Sequence, residues 1–323
     1  MATKPGDAKF VSKLDEEGKK KAKEELHELN DKDTQIAVET LRQWVVDQDW
    51  LKSPTDFAFL LRFLRVRKFS QLGARETLEN YWKGRTNSPE WFRDADPADE
   101  LTQEILKTGC YQCPLKYDKM GRRVVLLKFS VLTVDLINQW TLDKFYKAYF
   151  LVYEWLMLDE RVQVYGTVCI ADYTDITLPL LMAITNPDVA KKAVVFYNKA
   201  LPMRLKAIHM YNEPAFIDVL MAIFNPFLRQ KIKDRFITHG KSFVKIYESV
   251  GMDILPDEYL PDEYKGSSDG SQKNIIGDML EDMMKPEFRQ YIKDLSSDKY
   301  GVDMEKRKKN DDPAASFRKL NVS

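Results

Sequence analysis

The spacing of apolar positions along the chain changes between two regimes. Residues 1–33 mix charges of both signs with few apolar positions, which predicts a charged tail or a solvated helix. Ile36, Val38, Leu41, Trp44 and Val45 then recur with the period of an α-helix, and Asp33 or Thr34 can cap it. A second helix is predicted over 56–68, with Phe57, Leu60, Leu61 and Leu64 on one face and Arg62, Arg65 and Lys68 outside it. A third, over 74–83, carries Leu78, Tyr81 and Trp82. Pro89, Pro97 and the acidic positions between them close an all-helical block, 34–95.

From about residue 110 the pattern changes, and a second domain is expected over 105–266. Val124–Leu127 is a continuous apolar run preceded by the turn Asp118-Lys119-Met120-Gly121, which suits a hairpin. A long helix is predicted from Leu142 to Leu158 and a strand over 164–173. A helix over 188–199, a strand over 205–211, a helix over 214–228 and a short strand over 235–239 follow. Strands alternating with helices predict an α/β domain with largely parallel pairing. Leu255-Pro-Asp-Glu-Tyr259 is repeated at once by Leu260-Pro-Asp-Glu-Tyr264, a local duplication. Gly266 to Gln272 reads as a linker, and 267–323 as a polar C-terminal tail with a short helix near 275–295.

Composition removes several functions. Lys+Arg and Asp+Glu are 50 each, so the chain lacks the basic excess of a nucleic-acid binder. The longest run without a charge, Ile176–Pro187, is 12 residues, well short of the roughly 20 needed to span a bilayer. The first residues lack the apolar core of a secretory signal, and Cys110, Cys113 and Cys169 are too few for a disulfide framework. A monomeric protein of the reducing cytosol is expected, with no metal and no cofactor beyond a bound ligand. Enzyme motifs are missing too. Gly240-Lys241-Ser242 resembles the end of a P-loop, but the upstream glycine position holds Arg235. Cys110-x-x-Cys113 lacks a second pair for zinc and a following helix for redox chemistry. His27, His209 and His239 are scattered. A binding role rather than catalysis is expected.

The local charge is more telling. Residues 191–245 hold eleven Lys/Arg against three Asp/Glu, a net of +8 in a neutral chain. Lys191, Lys192 and Lys199 read as a solvated helix face. Arg204 and Lys206 open one predicted strand, Lys231 and Arg235 flank another, and neighbouring strands would bring the four to one end of the sheet. Such a cluster suits a phosphorylated headgroup at an anionic membrane. Between these groups, 214–228 carries one charge, Asp218, and is apolar nearly all round. It is either a buried core helix or a lid between a lipid ligand and a membrane. Tyr146, Tyr149 and Tyr153 share a helix face, and buried hydroxyls need partners. In the 164–173 strand, small Thr167, Cys169 and Ala171 share one face and bulky Val168 and Ile170 the other, leaving room on one side only.

Leu60–Arg85 resembles the N-terminal helical segment of the CRAL-TRIO lipid-binding family, and 121–266 resembles its lipid-binding domain. Lys206–Pro214, Asn225-Pro-Phe-Leu228 and His239-Gly240 are most similar to the branch of tocopherol-transfer, retinaldehyde-binding and clavesin proteins. The resemblance implies a helical N-terminal domain and then a mixed, largely parallel sheet with covering helices. A mobile lid helix, here about 214–228, gates its hydrophobic pocket. It places pocket positions at Tyr146, Tyr149, Tyr153, Thr167, Cys169, Ala171, Phe196, Tyr197, Leu201, Met203, Ile208, Leu220, Ile223 and Phe224. It places phosphoinositide contacts at Arg204, Lys206, Lys231 and Arg235. The branch carries serines where Tyr149 and Tyr153 stand in its tocopherol binders, and a glutamate at Ala171 in its retinaldehyde binders. The implied function is a cytoplasmic carrier for a retinoid, carotenoid, tocopherol-like or other lipid. It would exchange ligand at phosphoinositide-containing endosomal or plasma membranes. A phosphoinositide-responsive adaptor with a structural lipid pocket is the alternative.

Overall fold

A computed structural model of the protein describes residues 10–311. Its seven strands are β1 (Leu51–Lys52), β2 (Tyr111–Gln112), β3 (Arg123–Lys128), β4 (Thr167–Asp172), β5 (Leu205–Tyr211), β6 (Phe236–Thr238) and β7 (Gly301–Val302). The main sheet runs β2-β3-β4-β5-β6; β2 is antiparallel to β3 and the remaining pairs are parallel. A parallel sheet needs both faces covered, and β4 is buried at every position. The alternation in β4 sorts two cores. Val168 and Ile170 pack with Val124, Leu126, Ile246 and Val250 under helix Val244–Val250. Ala171 faces the larger core, with helices Leu142–Met157 and Pro187–Lys199.

The β4–β5 register shifts between Thr167 and Val168. One extra residue on β5 flips the parity of its side chains, so both Leu205 and Ile208 face the side of the sheet that holds the cavity described below. Gly166 begins this irregularity. Its φ is +86°, and a Cβ there would lie 2.2 Å from the Arg204 carbonyl oxygen, so only glycine lets the two backbones approach.

The helical block starts earlier than the spacing suggests. Helix Asp31–Val46 is capped by Asn30, whose side chain accepts from the Asp33 amide, and Ile36 is exposed. Asp56 caps helix Phe57–Val66, and Ser70 caps helix Gln71–Asn87. Arg62 and Arg65, expected on the outer face, are fully buried, and of the three only Lys68 is exposed. They are buried because each has partners. Arg65 takes both Glu28 carboxylate oxygens at 2.8 Å and donates to Gln163 at 2.8 Å and Glu160 at 3.1 Å. Arg62 donates to the Tyr291 hydroxyl at 2.9 Å and lies 3.7 Å from Glu154. Arg85 pairs with Glu154 at 2.8 Å and donates to the Leu295 carbonyl, while Tyr81 donates to the same carboxylate.

Both terminal regions hold the helices their sequence allowed, but packed against the core rather than free. Helix Glu16–Leu26 is charged outward but is not a free tail: Leu14, Ala22 and Leu26 pack on Val164 and Tyr165. The region from 267 is not a tail within the described residues. Helices Gln272–Met283 and Pro286–Leu295 bury Met279, Met283, Phe288, Ile292 and Leu295 in the main core, and β7 pairs with β1. Apolar positions spaced three and four apart in these polar segments carry that burial. Residues 1–9 and 312–323 lie outside the described residues.

Glu154 is the single carboxylate between two buried guanidinium groups. Removing one partner of such a cluster leaves an uncompensated buried charge, which costs about 3–5 kcal/mol. Glu154→Gln is therefore expected to lose about that much stability, read as a lower midpoint in urea unfolding; an unchanged midpoint would contradict the role given to this carboxylate.

Candidate functional site

An apolar cavity of about 250 Å³ lies between the sheet and helices Leu142–Met157, Pro187–Lys199 and Ile217–Phe224. Helix Leu142–Met157 supplies Tyr146, Tyr149 and Tyr153, and β4 supplies Cys169 and Ala171. Tyr197, Ile208 and Phe224 complete the set of expected positions that line it. Four others lie elsewhere. Thr167 is buried at the start of β4, one register step before the cavity. Phe196 packs on Phe92 and Phe150, with ring centroids at 4.8 and 5.1 Å. Leu201 and Met203 belong to the neighbouring basic crevice. The backbones of Leu220 and Ile223 lie in helix Ile217–Phe224; their side chains are outside the described residues. The cavity also takes residues that the spacing did not single out, notably Tyr111 from β2 and Tyr173 after β4. A two-residue strand leaves no periodic signal to find Tyr111 by.

Tyrosine rings form a continuous wall. Centroids lie 5.6 Å apart for Tyr111–Tyr149, 4.6 Å for Tyr149–Tyr153 and 5.6 Å for Tyr153–Tyr197. Burial pushes the hydroxyls of Tyr146, Tyr149, Tyr153 and Tyr197 above their ordinary pKa, so they remain neutral. No Lys, Arg, Asp, Glu or His is among the lining residues.

Helix Ile217–Phe224 is not the fully buried core helix of the first reading of its sequence. It turns Met221 and Phe224 to the cavity, while Asp218, Val219 and Ala222 are exposed. It is an apolar helix at the surface, not a fully buried one. The turn Asn225–Phe227 is held to helix Pro187–Lys199 by Asn198, whose amide donates to the Phe227 carbonyl at 3.2 Å.

Beside the cavity lies a crevice of about 160 Å³. Arg204 and Lys206 reach it from the start of β5, Lys231 from helix Gln230–Lys233, and Arg235 from just before β6. Arg67, Lys68, Lys199 and Arg229 also line it, and no acidic residue does. Arg67 and Lys68 come from the helical block, about 130 to 170 residues away in sequence from the other cations, a distance that local charge counting does not bridge. The cations feel their crowding. Burial first, and then neighbouring cations, push Lys206, Lys231 and Arg67 below their ordinary pKa; burial and Arg204 do the same to Arg235. Lys231 and Arg235 have no acidic partner among the described residues. Arg204 and Lys206 do: Glu25, from helix Glu16–Leu26, lies 2.8 Å from Arg204, 3.5 Å from Lys206 and 2.8 Å from Lys21. Burial raises the Glu25 pKa, but the bonds from Lys21 and Arg204 outweigh it and hold the carboxyl at about 2.

Elsewhere, polar groups are committed to structure. His209 bridges His239 at 2.8 Å and Ser249 at 3.0 Å, and burial holds its pKa down at about 4. Among the described residues no group of three or more His, Cys, Asp or Glu could hold a metal, and no helix is long and apolar enough to cross a membrane.

Comparison with known proteins places the chain among described families. A family model described as CRAL/TRIO domain matches residues 107–260, and one described as Pinta-like, UBA domain matches 30–102. The mouse alpha-tocopherol transfer protein-like sequence is 31% identical over 79% of this chain and 73% of its own length. The human one is 32% identical over 77% and 71%. Mouse clavesin-2 is 30% identical over 64% of this chain and 62% of its own. The solved structure of Sfh5 is 15% identical, covers 79% of this chain and 91% of that chain, and superposes with a TM-score of 0.49.

Cys110 and Cys169 line the cavity and Cys113 is buried beside it, and burial pushes all three thiols up to about 12. The reactive thiolate at pH 8 is then about a thousandfold scarcer than for a free cysteine. Native protein should resist iodoacetamide at pH 8 while urea-unfolded protein labels at all three sites, counted by mass; prompt labelling of the native form would show that these thiols are not sealed.

Proposed function

The chain belongs to the CRAL/TRIO family of lipid-binding and transfer proteins, and we propose that it carries a hydrophobic molecule in the apolar cavity and exchanges it at phosphoinositide-containing membranes. The observation that carries this reading is the pairing of an uncharged, apolar cavity with a crevice lined by eight cations.

The physics divides the labour. A hydrophobe of about 20 carbons gains roughly 15 kcal/mol on leaving water, at about 0.8 kcal/mol per methylene. It therefore stays in a bilayer or in a carrier, and moving between the two changes its free energy little. The carrier's task is kinetic: dock, open, exchange and close. Helix Ile217–Phe224 is the lid in this scheme, with exposed Val219 and Ala222, beside the single charge Asp218, toward the membrane and Met221 and Phe224 over the ligand. Phosphate oxygens of a headgroup are received by Arg204, Lys206, Lys231 and Arg235, with Arg67, Lys68 and Arg229 extending the site. Glu25 stands in for one anion until a headgroup takes its place. Its carboxyl has an ordinary pKa near 4.5 and is held at about 2, so its ion pairs are complete above pH 4.5 and disappear only as pH falls through about 2. Near neutral pH, incoming phosphate must displace them.

Membrane docking is tested with vesicles containing or lacking phosphatidylinositol bisphosphate. Each basic group at an anionic surface contributes about 1 kcal/mol, so Lys206→Ala with Arg235→Ala should weaken binding roughly thirtyfold and reduce its salt sensitivity. Glu25→Gln, which removes the competing carboxylate, should strengthen it. Ligand presented from detergent should still enter the double variant. Equal vesicle binding by wild type and double variant would reject the site. Native mass spectrometry with lipid extraction tests the cavity; protein purified without any bound hydrophobe and refusing one from vesicles would reject a carrier role.

The lid is tested separately. Phe224→Asp places a charge against the cavity, where an unpaired polar group costs at least about 1–3 kcal/mol. Ligand release to acceptor vesicles should speed up about tenfold. Unchanged release and unchanged uptake would mean that this helix neither covers nor gates the cavity.

A further inference from the structure

Among the described cavity tyrosines, Tyr111 alone has a hydroxyl that is both fully buried and without a hydrogen-bond partner. The residue is 4% exposed, and its hydroxyl is buried without a hydrogen-bond partner among the described residues. Nearly all buried polar atoms in folded proteins are paired, so an orphan is a signal. The neighbours are engaged. The Tyr146 hydroxyl donates to the Ile184 carbonyl at 3.3 Å. The hydroxyls of Tyr149, Tyr153 and Tyr197 interact with one another.

The orphan lies within the cavity wall: Tyr111 is a lining residue, and beyond burial, which acts first, the groups that act on its hydroxyl are Cys110, Tyr149 and Tyr146, all of them lining residues too. The ring is held in place: the backbone pairs with Leu127 across β2–β3, and the ring packs at 5.5 Å on Phe145 and 5.6 Å on Tyr149. A fixed donor costs little entropy to use. The same lining restricts the ligand's charge. With no cationic or anionic side chain in the wall, a carboxylate or an ammonium would be buried unpaired.

Resting on the cavity reading above, we propose that Tyr111 is the polar anchor of the pocket: its hydroxyl donates a hydrogen bond to a single oxygen of an otherwise apolar, uncharged ligand. An ether, carbonyl or hydroxyl oxygen satisfies it. Free fatty acid anions and pure hydrocarbons are the disfavoured classes, the first for charge and the second because they leave the hydroxyl unpaired.

The test compares 1-methoxydecane with dodecane, which differ by one oxygen in place of one methylene, on wild type and Tyr111→Phe. Binding is read by calorimetric displacement with both probes delivered from cyclodextrin. Taking the ratio of the two affinities, and then comparing proteins, cancels each probe's own cost of leaving water. The preference for the ether over the hydrocarbon should fall about three- to tenfold in Tyr111→Phe, the usual worth of one neutral hydrogen bond. Ligand-free Tyr111→Phe should melt at the wild-type temperature or above it, because the variant loses only an unpaired buried group. An unchanged ratio overturns the anchor while leaving the cavity reading intact. A lower melting temperature for the ligand-free variant overturns it too, since the hydroxyl would then have a structural partner. If neither probe binds wild type, the cavity reading fails and the anchor with it.

Discussion

The structure hangs on one buried carboxylate. Glu154 sits on helix Leu142–Met157 and is shared by Arg62 and Arg85 of the helical block, while Arg62 and Arg85 also reach Tyr291 and the Leu295 carbonyl of the C-terminal helices. Three stretches of chain that are remote in sequence are thereby tied at one point. Buried charges are costly unless each finds its counterpart, so the arrangement tolerates little displacement. Its consequence is felt on the neighbouring face of the same helix, about 100° round from Glu154. Tyr146, Tyr149 and Tyr153, which form one wall of the cavity, are carried by a helix whose flank is tied by this charge cluster.

The opposite wall is set by the sheet. Small residues on one face of β4 leave volume, and bulky ones on the other face fill the second core. A strict period of two would have turned Ile208 away from the cavity if Leu205 faced it. The slip between Thr167 and Val168, beside Gly166, allows both. The same slip sets Arg204 at the mouth of the basic crevice: its carbonyl accepts from the Thr167 amide at 2.9 Å, and its guanidinium donates to the Val164 carbonyl. One irregularity therefore shapes the greasy site and the charged site together.

Much of this was legible in the chain. Strand β5 falls where its apolar spacing places it, helix Leu142–Met157 within one residue of its predicted end, and the four basic residues do meet at one end of the sheet. What was not legible has physical causes. Arg62 and Arg65 read as surface because a lone arginine usually is; their burial depends on Glu28, Glu154 and Glu160, which only the fold brings near. Helices Val134–Trp140, Glu160–Tyr165 and Leu178–Ile184 are too short for two full periods of apolar spacing. The C-terminal region read as a tail with one short helix, where the structure has two, because its apolar residues are sparse among charges, though Ile275, Met279, Leu280, Met283, Phe288, Ile292 and Leu295 are buried. Phe196 and Thr167 share periodicity with true lining residues, yet a single turn or register step takes them out of the cavity.

The nearness of the two sites carries the last step. Tyr197, Leu205 and Ile232 line the cavity and the crevice alike. Ile232 follows Lys231 directly in helix Gln230–Lys233, and that helix follows the lid and its turn in the chain. A headgroup bound as proposed between Lys231, Arg235 and Arg204 would therefore act on a segment that is itself cavity wall. Coupling between such sites is reciprocal: whatever a headgroup does to ligand affinity, ligand must do to headgroup affinity by the same factor. A carrier needs that linkage. If the headgroup loosens the wall, ligand is released where phosphorylated lipid is present and retained where it is absent; a filled cavity, by the same factor, lowers affinity for the membrane once exchange is complete. Among the described residues Tyr197, Leu205 and Ile232 are the side chains that line both sites, so under the proposed function that factor would be set through them.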